Sequence, residues 1–181
     1  EQALQQAVKS INSDAVSYSV ADVTQPEQVE NYVATAVERY GGIDIFMNNA
    51  GIEGEVKPIT DCPVDVFDQV IAVNVRGAWL GLKYVIPEMQ KRGGGSIVIT
   101  SSTAGIKGTA GISPYVTSKH AVIGMMRAAA LECAEFNIRV NTVNPAPIET
   151  RMIRSLEQQF SPDEPEKARQ VRIQKLPLKR Y

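Results

Sequence analysis

Short runs rich in β-branched residues alternate along this chain with longer segments of helical period, and this alternation restricts the fold more than any other feature. Residues 15–20 (AVSYSV), 43–47 (IDIFM), 96–100 (SIVIT) and 138–143 (IRVNTV) read as strands, mostly buried on both faces. Between them, residues 26–40 read as a helix with Thr24 as N-cap and Gly41-Gly42 as its stop. Residues 65–92 repeat apolar side chains at helical spacing and close on Lys91, Arg92 and three glycines, which predicts one unusually long helix. Residues 115–136 form a third, with Ser113 or Pro114 at its start and Asn137 at its end. Strands joined by helices of this length imply right-handed crossovers. The predicted class is therefore α/β, a doubly wound parallel sheet with helices on both faces.

Charge and composition exclude several functions. Nineteen Lys and Arg against twenty Asp and Glu leave a net charge of −1, so nothing points to nucleic acid or to an anionic membrane surface. No run of about 18 apolar residues suits a membrane span, and residues 1–10 lack the layout of a signal peptide, so a cytoplasmic location is expected. Cys62 and Cys133 have only His120 as a companion, which provides neither a zinc site nor a disulfide framework; no metal is expected. Cys133 reads as core filler, Cys62 as a loop residue and His120 as a packed helix residue.

In sheets of this class ligands sit beyond the carboxyl ends of the strands. Those positions are Ala21-Asp22-Val23, Asn48-Asn49-Ala50-Gly51, Ser101-Ser102 and Asn144-Pro145-Ala146. A phosphate-binding glycine turn between strand and helix is missing: Gly93-Gly94-Gly95 lies between a helix and a strand, and Gly105, Gly108 and Gly111 have the wrong spacing. The chain also opens inside an expected helix, residues 1–11, and stops at 177–181 without a closing element. A strand-helix-strand unit takes roughly 30 residues. The sequence thus reads as one domain over residues 1–181, an internal fragment of a longer one, incomplete at both ends. Residues 157–169 are its least core-like stretch, a mobile loop or a small helical flap.

Ser102, Tyr115 and Lys119 form the strongest chemical constellation. Tyr115 and Lys119 are four apart near the start of a predicted helix and share a face. A phenol is a poor acid-base group at neutral pH, but a neighbouring ammonium favours the phenolate and lowers its pKa. Ser102, at a strand end, is placed to donate a hydrogen bond to a carbonyl while Tyr115 gives or takes the proton. The competing reading makes Tyr115 an interface residue with a solvated hydroxyl and Lys119 a surface lysine.

Together with Asp22-Val23, NNAG at 48–51, Asn74-Val75, YVTSK at 115–119 and NTVNPAPIET at 141–150, this constellation resembles the short-chain dehydrogenase/reductase family, in order and over nearly the whole chain. The resemblance implies a Rossmann-like domain and hydride transfer between a nicotinamide cofactor, NAD or NADP with NAD slightly preferred, and a ketone or secondary alcohol. It implies that Tyr115 is the acid-base residue, that Lys119 lowers its pKa and holds ribose hydroxyls, that Ser102 polarises the carbonyl and that Asn74 supports a water in a proton relay. Asp22 and Val23 would flank the adenine, Asn49, Ala50 and Gly51 would approach the adenosine ribose, and Pro145, Ile148 and Thr150 would meet the nicotinamide end. Simpler roles compete at some positions: a positive-φ turn at Asn49 and Gly51, and helix entry at Asp22. The family's Pro-Gly pair is Pro145-Ala146 here, tolerable unless that position needs positive φ.

Residues 151–172 correspond to the family's substrate flap, with Met152, Ile153, Leu156 and Phe160 as an apolar wall, which suits a mostly apolar ketone or cyclic alcohol; NNAGIEG and Lys119-His120 resemble members acting on cyclic ketones and diols, with 3-oxoacyl thioester reduction as the alternative. Ala78, Trp79 and Leu82 on one long helix and Met125, Ala128 and Ala129 on another extend beyond a single core stripe, so a homodimer or homotetramer is expected. The alternative to the enzyme is a truncated, non-catalytic scaffold or oligomerisation module unable to bind dinucleotide.

Overall fold

The computed structural model describes residues 1–181. Three strands, β1 (Ile45–Asn48), β2 (Gly95–Thr100) and β3 (Ile138–Val143), form a parallel sheet in the order β1-β2-β3, with Phe46 beside Ile97 and Ile97 beside Val140. Helices α1 (Gln2–Ile11) and α2 (Pro26–Tyr40) precede β1. Helices α3 (Val64–Ile71) and α4 (Gly77–Arg92) separate β1 from β2, α5 (Ser113–Glu132) separates β2 from β3, and α6 (Arg151–Phe160) and α7 (Pro165–Gln174) follow. The expected α/β class, a parallel sheet flanked by helices, is the fold observed.

The core lies between the sheet and the layer of α2, α4 and α5. Ile97 and Ile99 of β2 and Ile138 and Val140 of β3 meet Val85 and Met89 of α4 and Val122 and Cys133 at the α5 end, all nearly inaccessible to water. Gly81 permits this approach: a Cβ there would lie 2.8 Å from Asn48 Nδ2 and 3.0 Å from the Phe46 ring. Both-face burial of the strands is not found. Side chains alternate, and Ile45 and Met47 on the opposite face are exposed, because the helices packed on the sheet within these residues cover the Phe46 side.

Residues 15–20, expected as a strand, form no ladder. No neighbouring strand within residues 1–181 takes up their hydrogen bonds, and Val20 is exposed. The N-cap of α2 is Gln25 rather than Thr24, with Pro26 at the first helical position. The long helix expected over 65–92 is interrupted by a π turn at Ala72–Arg76 between α3 and α4. The third ends at Glu132, followed by a short 3₁₀ turn, Ala134–Phe136, and Asn137 in the left-handed region. Residues 157–169 are largely helical, in α6 and α7.

Of the residues expected on outer helix faces, Ala78, Leu82 and Ala129 belong to the core, whereas Trp79 and Ala128 face outward. Cys133 is core filler as expected; Cys62 is a free, half-buried loop thiol, and His120 is exposed, its Nδ1 3.0 Å from the Val116 carbonyl. No helix is long and apolar enough to cross a membrane.

Candidate active site

The carboxyl end of β2 and the first turns of α5 are tied together. Beyond Thr100, the Ser101 hydroxyl donates to the Lys119 carbonyl at 3.0 Å, and a Cβ on Gly105 would strike both groups, so the turn after β2 sits directly on α5. Ser102 caps that turn, its Oγ accepting from the Ala104 N–H at 3.1 Å. Pro114 in the first turn starts α5 and places Tyr115 and Lys119 one turn apart. Lys119 is buried. Its ammonium donates to the Thr100 carbonyl at 2.8 Å and lies 5.4 Å from the centre of the Tyr115 ring.

Burial acts on both groups in opposite senses, because it disfavours the charged form of each. The Lys119 ammonium is pushed down to about 8. The Tyr115 phenol is pushed above its ordinary value, chiefly by burial and further by the charge of Glu53, while the hydrogen-bonding influence of the Ser102 side chain pulls the other way. The sequence predicted a phenol depressed by Lys119. In the structure the ammonium faces the Thr100 carbonyl and the ring, and desolvation of the hydroxyl outweighs it.

Asn74 lies in the π turn and is almost fully buried. Its Oδ1 accepts from the Ile52 N–H at 2.8 Å, and its Nδ2 donates to the Ile52 carbonyl at 2.9 Å and to Ser118 Oγ at 3.0 Å. The side chain therefore pins the loop after β1 to α5. That loop is held at its start by Asn48, donating to the Ala78 carbonyl at 2.8 Å, and by Asn49, whose Oδ1 accepts from the Thr100 hydroxyl at 2.9 Å. Neither Asn49 nor Gly51 has positive φ. A Cβ on Gly51 would sit tightly, 3.3 Å from Asn74 Oδ1, and in ordinary contact, 3.5 Å, with Lys119 Nζ. Ala50 is exposed beside it.

Other positions gather more loosely. Asp22 Oδ1 accepts from the Thr24 N–H at 2.9 Å and the Thr24 hydroxyl at 2.8 Å, bonds that hold its carboxyl below the usual range and make it the entry turn of α2. Val23 packs against Gly77, and Arg76 donates to the Thr24 carbonyl, so this pair sits beside the π turn rather than beside Tyr115. The Pro145 carbonyl accepts from the Thr103 N–H at 3.0 Å, which joins the end of β3 to the Ser102 turn. Ala146 has no positive φ and so tolerates its methyl. Ile148 is exposed, and the Thr150 side chain accepts from the Ile153 N–H to cap α6. Ile153 and Leu156 of the expected apolar wall are buried against Ile112, with Tyr115 and Val116 alongside; Met152 and Phe160 remain partly open.

Sequence reasoning placed Ser101 at a strand end without giving it a role, and missed Ser118 and Glu53. Ser118 lies within the quoted YVTSK stretch, and its hydroxyl donates to the Tyr115 carbonyl at 2.8 Å while accepting from Asn74. Its place on the helix face next to Tyr115 was the available signal.

The sequence model of the short chain dehydrogenases matches residues 1–160. The chain belongs to that family. Levodione reductase from Leifsonia aquatica is 42% identical over 163 residues, spanning 90% of this chain and 61% of its own length. The short-chain dehydrogenase chain thus spans less than two thirds of that relative's length. The crystal structure of levodione reductase superposes with a TM-score of 0.92 at 39% identity, over 98% of this chain and 70% of that one. NAD+-bound xylitol dehydrogenase gives 0.90 at 36% identity over 99% and 73%, and ElxO with NADP bound gives 0.81 at 32% over 91% and 64%.

Proposed function

We propose that the protein carrying this chain is an NAD(P)-dependent oxidoreductase that moves a hydride between a nicotinamide and a ketone or secondary alcohol, with Tyr115 as the acid-base residue. The convergence of Tyr115, Ser102 and the buried Lys119 at the end of β2 carries this reading. A half-buried phenol beside a serine hydroxyl suits proton transfer to an oxygen that gains or loses negative charge.

The residues fit a dinucleotide. The Gly51 cradle, which a Cβ would crowd, lies beside a buried ammonium, as a ribose edge with hydroxyl groups requires. Asn49, Ala50 and Gly51 would face that ribose, Asp22 and Val23 the adenine, and Pro145, Ile148 and Thr150 the nicotinamide end. Lys119 would hold the ribose hydroxyls. When bound, the nicotinamide supplies the hydride chemistry. Ser102 then donates to the substrate oxygen, and Tyr115 delivers a proton from its hydroxyl during reduction or takes one during oxidation. Lys119 supports the phenolate, and Asn74, fixed between Ile52 and Ser118, orders the wall from which a water relay to Lys119 would run.

The cofactor is NAD or NADP, with NAD slightly preferred. The substrate is mostly apolar, facing Met152 and Phe160 of α6, which with α7 forms the flap over residues 151–172. Exposed Trp79 and Ala128 favour a homodimer or homotetramer, and the balanced charge suits the cytoplasm. The deciding experiment is steady-state oxidation of NADH and NADPH by the purified protein against a panel of cyclic ketones, with Tyr115→Phe in parallel. Turnover in the parent with its loss in the variant is expected; equal turnover in both would refute the assignment.

A further inference from the structure

Two successive residues at the end of β2 hold Lys119 by its tip and by its base. Thr100 takes the ammonium on its carbonyl at 2.8 Å, and Ser101 donates its hydroxyl to the Lys119 backbone carbonyl at 3.0 Å. Both Ser101 and Lys119 are buried, at 2% and 4% exposure. Ser101 is itself fixed, since its N–H donates to the Val143 carbonyl of β3 at 2.9 Å. Gly105 leaves room for the contact: a Cβ there would strike the Ser101 hydroxyl and lie 2.7 Å from the Lys119 carbonyl oxygen. That oxygen does not depend on the serine for a partner. Inside an α-helix it already accepts from the N–H four residues on, so Ser101 adds a second donor to a group that is paired without it. What the extra bond fixes is position. Tyr115 is anchored separately, its carbonyl accepting from Ser118, which Asn74 holds in turn, so Ser101 acts on Lys119 and not on the phenol directly.

We propose that Ser101 is a positioning residue: by clamping the Lys119 backbone onto the end of β2, it presets the ammonium beside the Tyr115 ring and the Gly51 backbone, where a phenolate and a ribose edge need it. The inference rests on the oxidoreductase reading above and adds to it a residue that touches neither substrate nor cofactor. A lysine stem is a flexible four-carbon chain, and a donor whose base and tip are both held before binding loses little freedom when a ligand arrives. Without the clamp, the first turns of α5 are free to drift from β2, water gains access to the ammonium, and only the Thr100 contact sets its place against the phenol. Burial depresses the Lys119 ammonium with no neighbouring charge involved, so its titration reports how dry the clamp keeps it.

The test compares the parent, Ser101→Ala and Ile97→Val, a core substitution in the same strand of comparable cost to stability. Acetic anhydride labelling of Lys119 against pH, read by peptide mass in the cofactor-free protein, gives its titration; NADH affinity comes from cofactor fluorescence, and the rise of cyclohexanol oxidation with pH from initial rates. Parental Lys119 titrates near pH 8. In Ser101→Ala that midpoint is expected to move up by about 0.5 or more, NADH affinity to fall about fivefold, the weight of one hydrogen bond, and alcohol oxidation to rise at higher pH. Ile97→Val is expected to keep all three at parental values. An unchanged Lys119 titration in Ser101→Ala overturns the proposal, as does parental NADH affinity in that variant or an equal shift in Ile97→Val. Should Ser101→Ala not fold, Ser101→Cys, which fills the space with a weaker donor, decides by the same criteria. A shifted Lys119 titration with neither NADH binding nor turnover in the parent refutes the dehydrogenase and leaves the clamp; parental turnover with an unshifted Lys119 in Ser101→Ala refutes the clamp alone.

Discussion

Lys119 Nζ lies 5.4 Å from the centre of the Tyr115 ring while donating at 2.8 Å to the Thr100 carbonyl, so one ammonium bridges the end of the central strand and the phenol. The geometry is costly to Lys119. Its pKa falls to about 8, against an ordinary lysine value of about 10.4.

That depression fixes the sign of a stability effect. Between pH 8 and the ordinary lysine range the unfolded chain holds a proton on this residue that the folded chain has released, so stability rises with pH there. Below pH 8 both states are protonated, and the desolvation cost is present in full. Urea denaturation of the parent and of Lys119→Met across this range is expected to show the parent gaining on the variant as pH rises. A constant difference between the two would place the ammonium in a better solvated setting.

Tyr115→Phe removes the proton donor and little binding surface. Turnover is expected to fall by about 10²–10⁴-fold, the usual contribution of a positioned acid-base group, with NADH affinity held within about twofold. Because burial and the Glu53 charge push the Tyr115 phenol up, the parent in the absence of cofactor keeps this group protonated through neutral pH. Carbonyl reduction, which needs the protonated phenol, is therefore expected to stay level through neutrality, whereas alcohol oxidation rises with pH. Initial rates in both directions against pH check this.

The parallel sheet was legible because three β-branched runs and the helices between them carry their periods locally. Residues 15–20 carry the same local signal, yet a strand exists only where a neighbour completes its ladder, and pairing is not written in the segment itself. Ser102, Tyr115 and Lys119 were legible from spacing along one helix and the end of one strand. Glu53 was not, since its burial follows from the packing of a loop against α3, α5 and α6 that no periodicity announces. The direction of the Tyr115 shift was misread for a related reason: sequence shows that a lysine is near but not how dry the hydroxyl is. The π turn at Asn74 left one trace, an asparagine in the middle of a helix, where a polar side chain asks for partners.

Those partners make Asn74 a stability determinant as well as a part of the site. Asn74→Ala leaves the Ile52 N–H and carbonyl unpaired and frees Ser118 of one donor. With an unpaired buried backbone group costing about 1–3 kcal/mol, and partial access of water to Ile52, a loss of about 3 kcal/mol is expected from urea denaturation. A loss below about 0.5 kcal/mol would mean that the loop after β1 holds its place without Asn74, whatever the effect on turnover.

Gly81 sets two opposed effects against each other, and their sizes decide the sign. In a helix interior, Gly→Ala stabilises by about 1 kcal/mol through backbone entropy. Here the added Cβ would lie 2.8 Å from Asn48 Nδ2 and 3.0 Å from two atoms of the Phe46 ring, on the face where α4 packs against β1. Asn48 cannot give way without lengthening its bond to the Ala78 carbonyl, and Phe46 packs against the core cluster. Overpacking of this kind costs about 1–3 kcal/mol, to which the strained hydrogen bond adds. Gly81→Ala is therefore expected to destabilise the protein by about 1–2 kcal/mol net, read as a lower urea midpoint at unchanged slope. A gain in stability would show that β1 and α4 separate freely, and that the loop from Asn48 to Gly51 is not braced from behind by this helix.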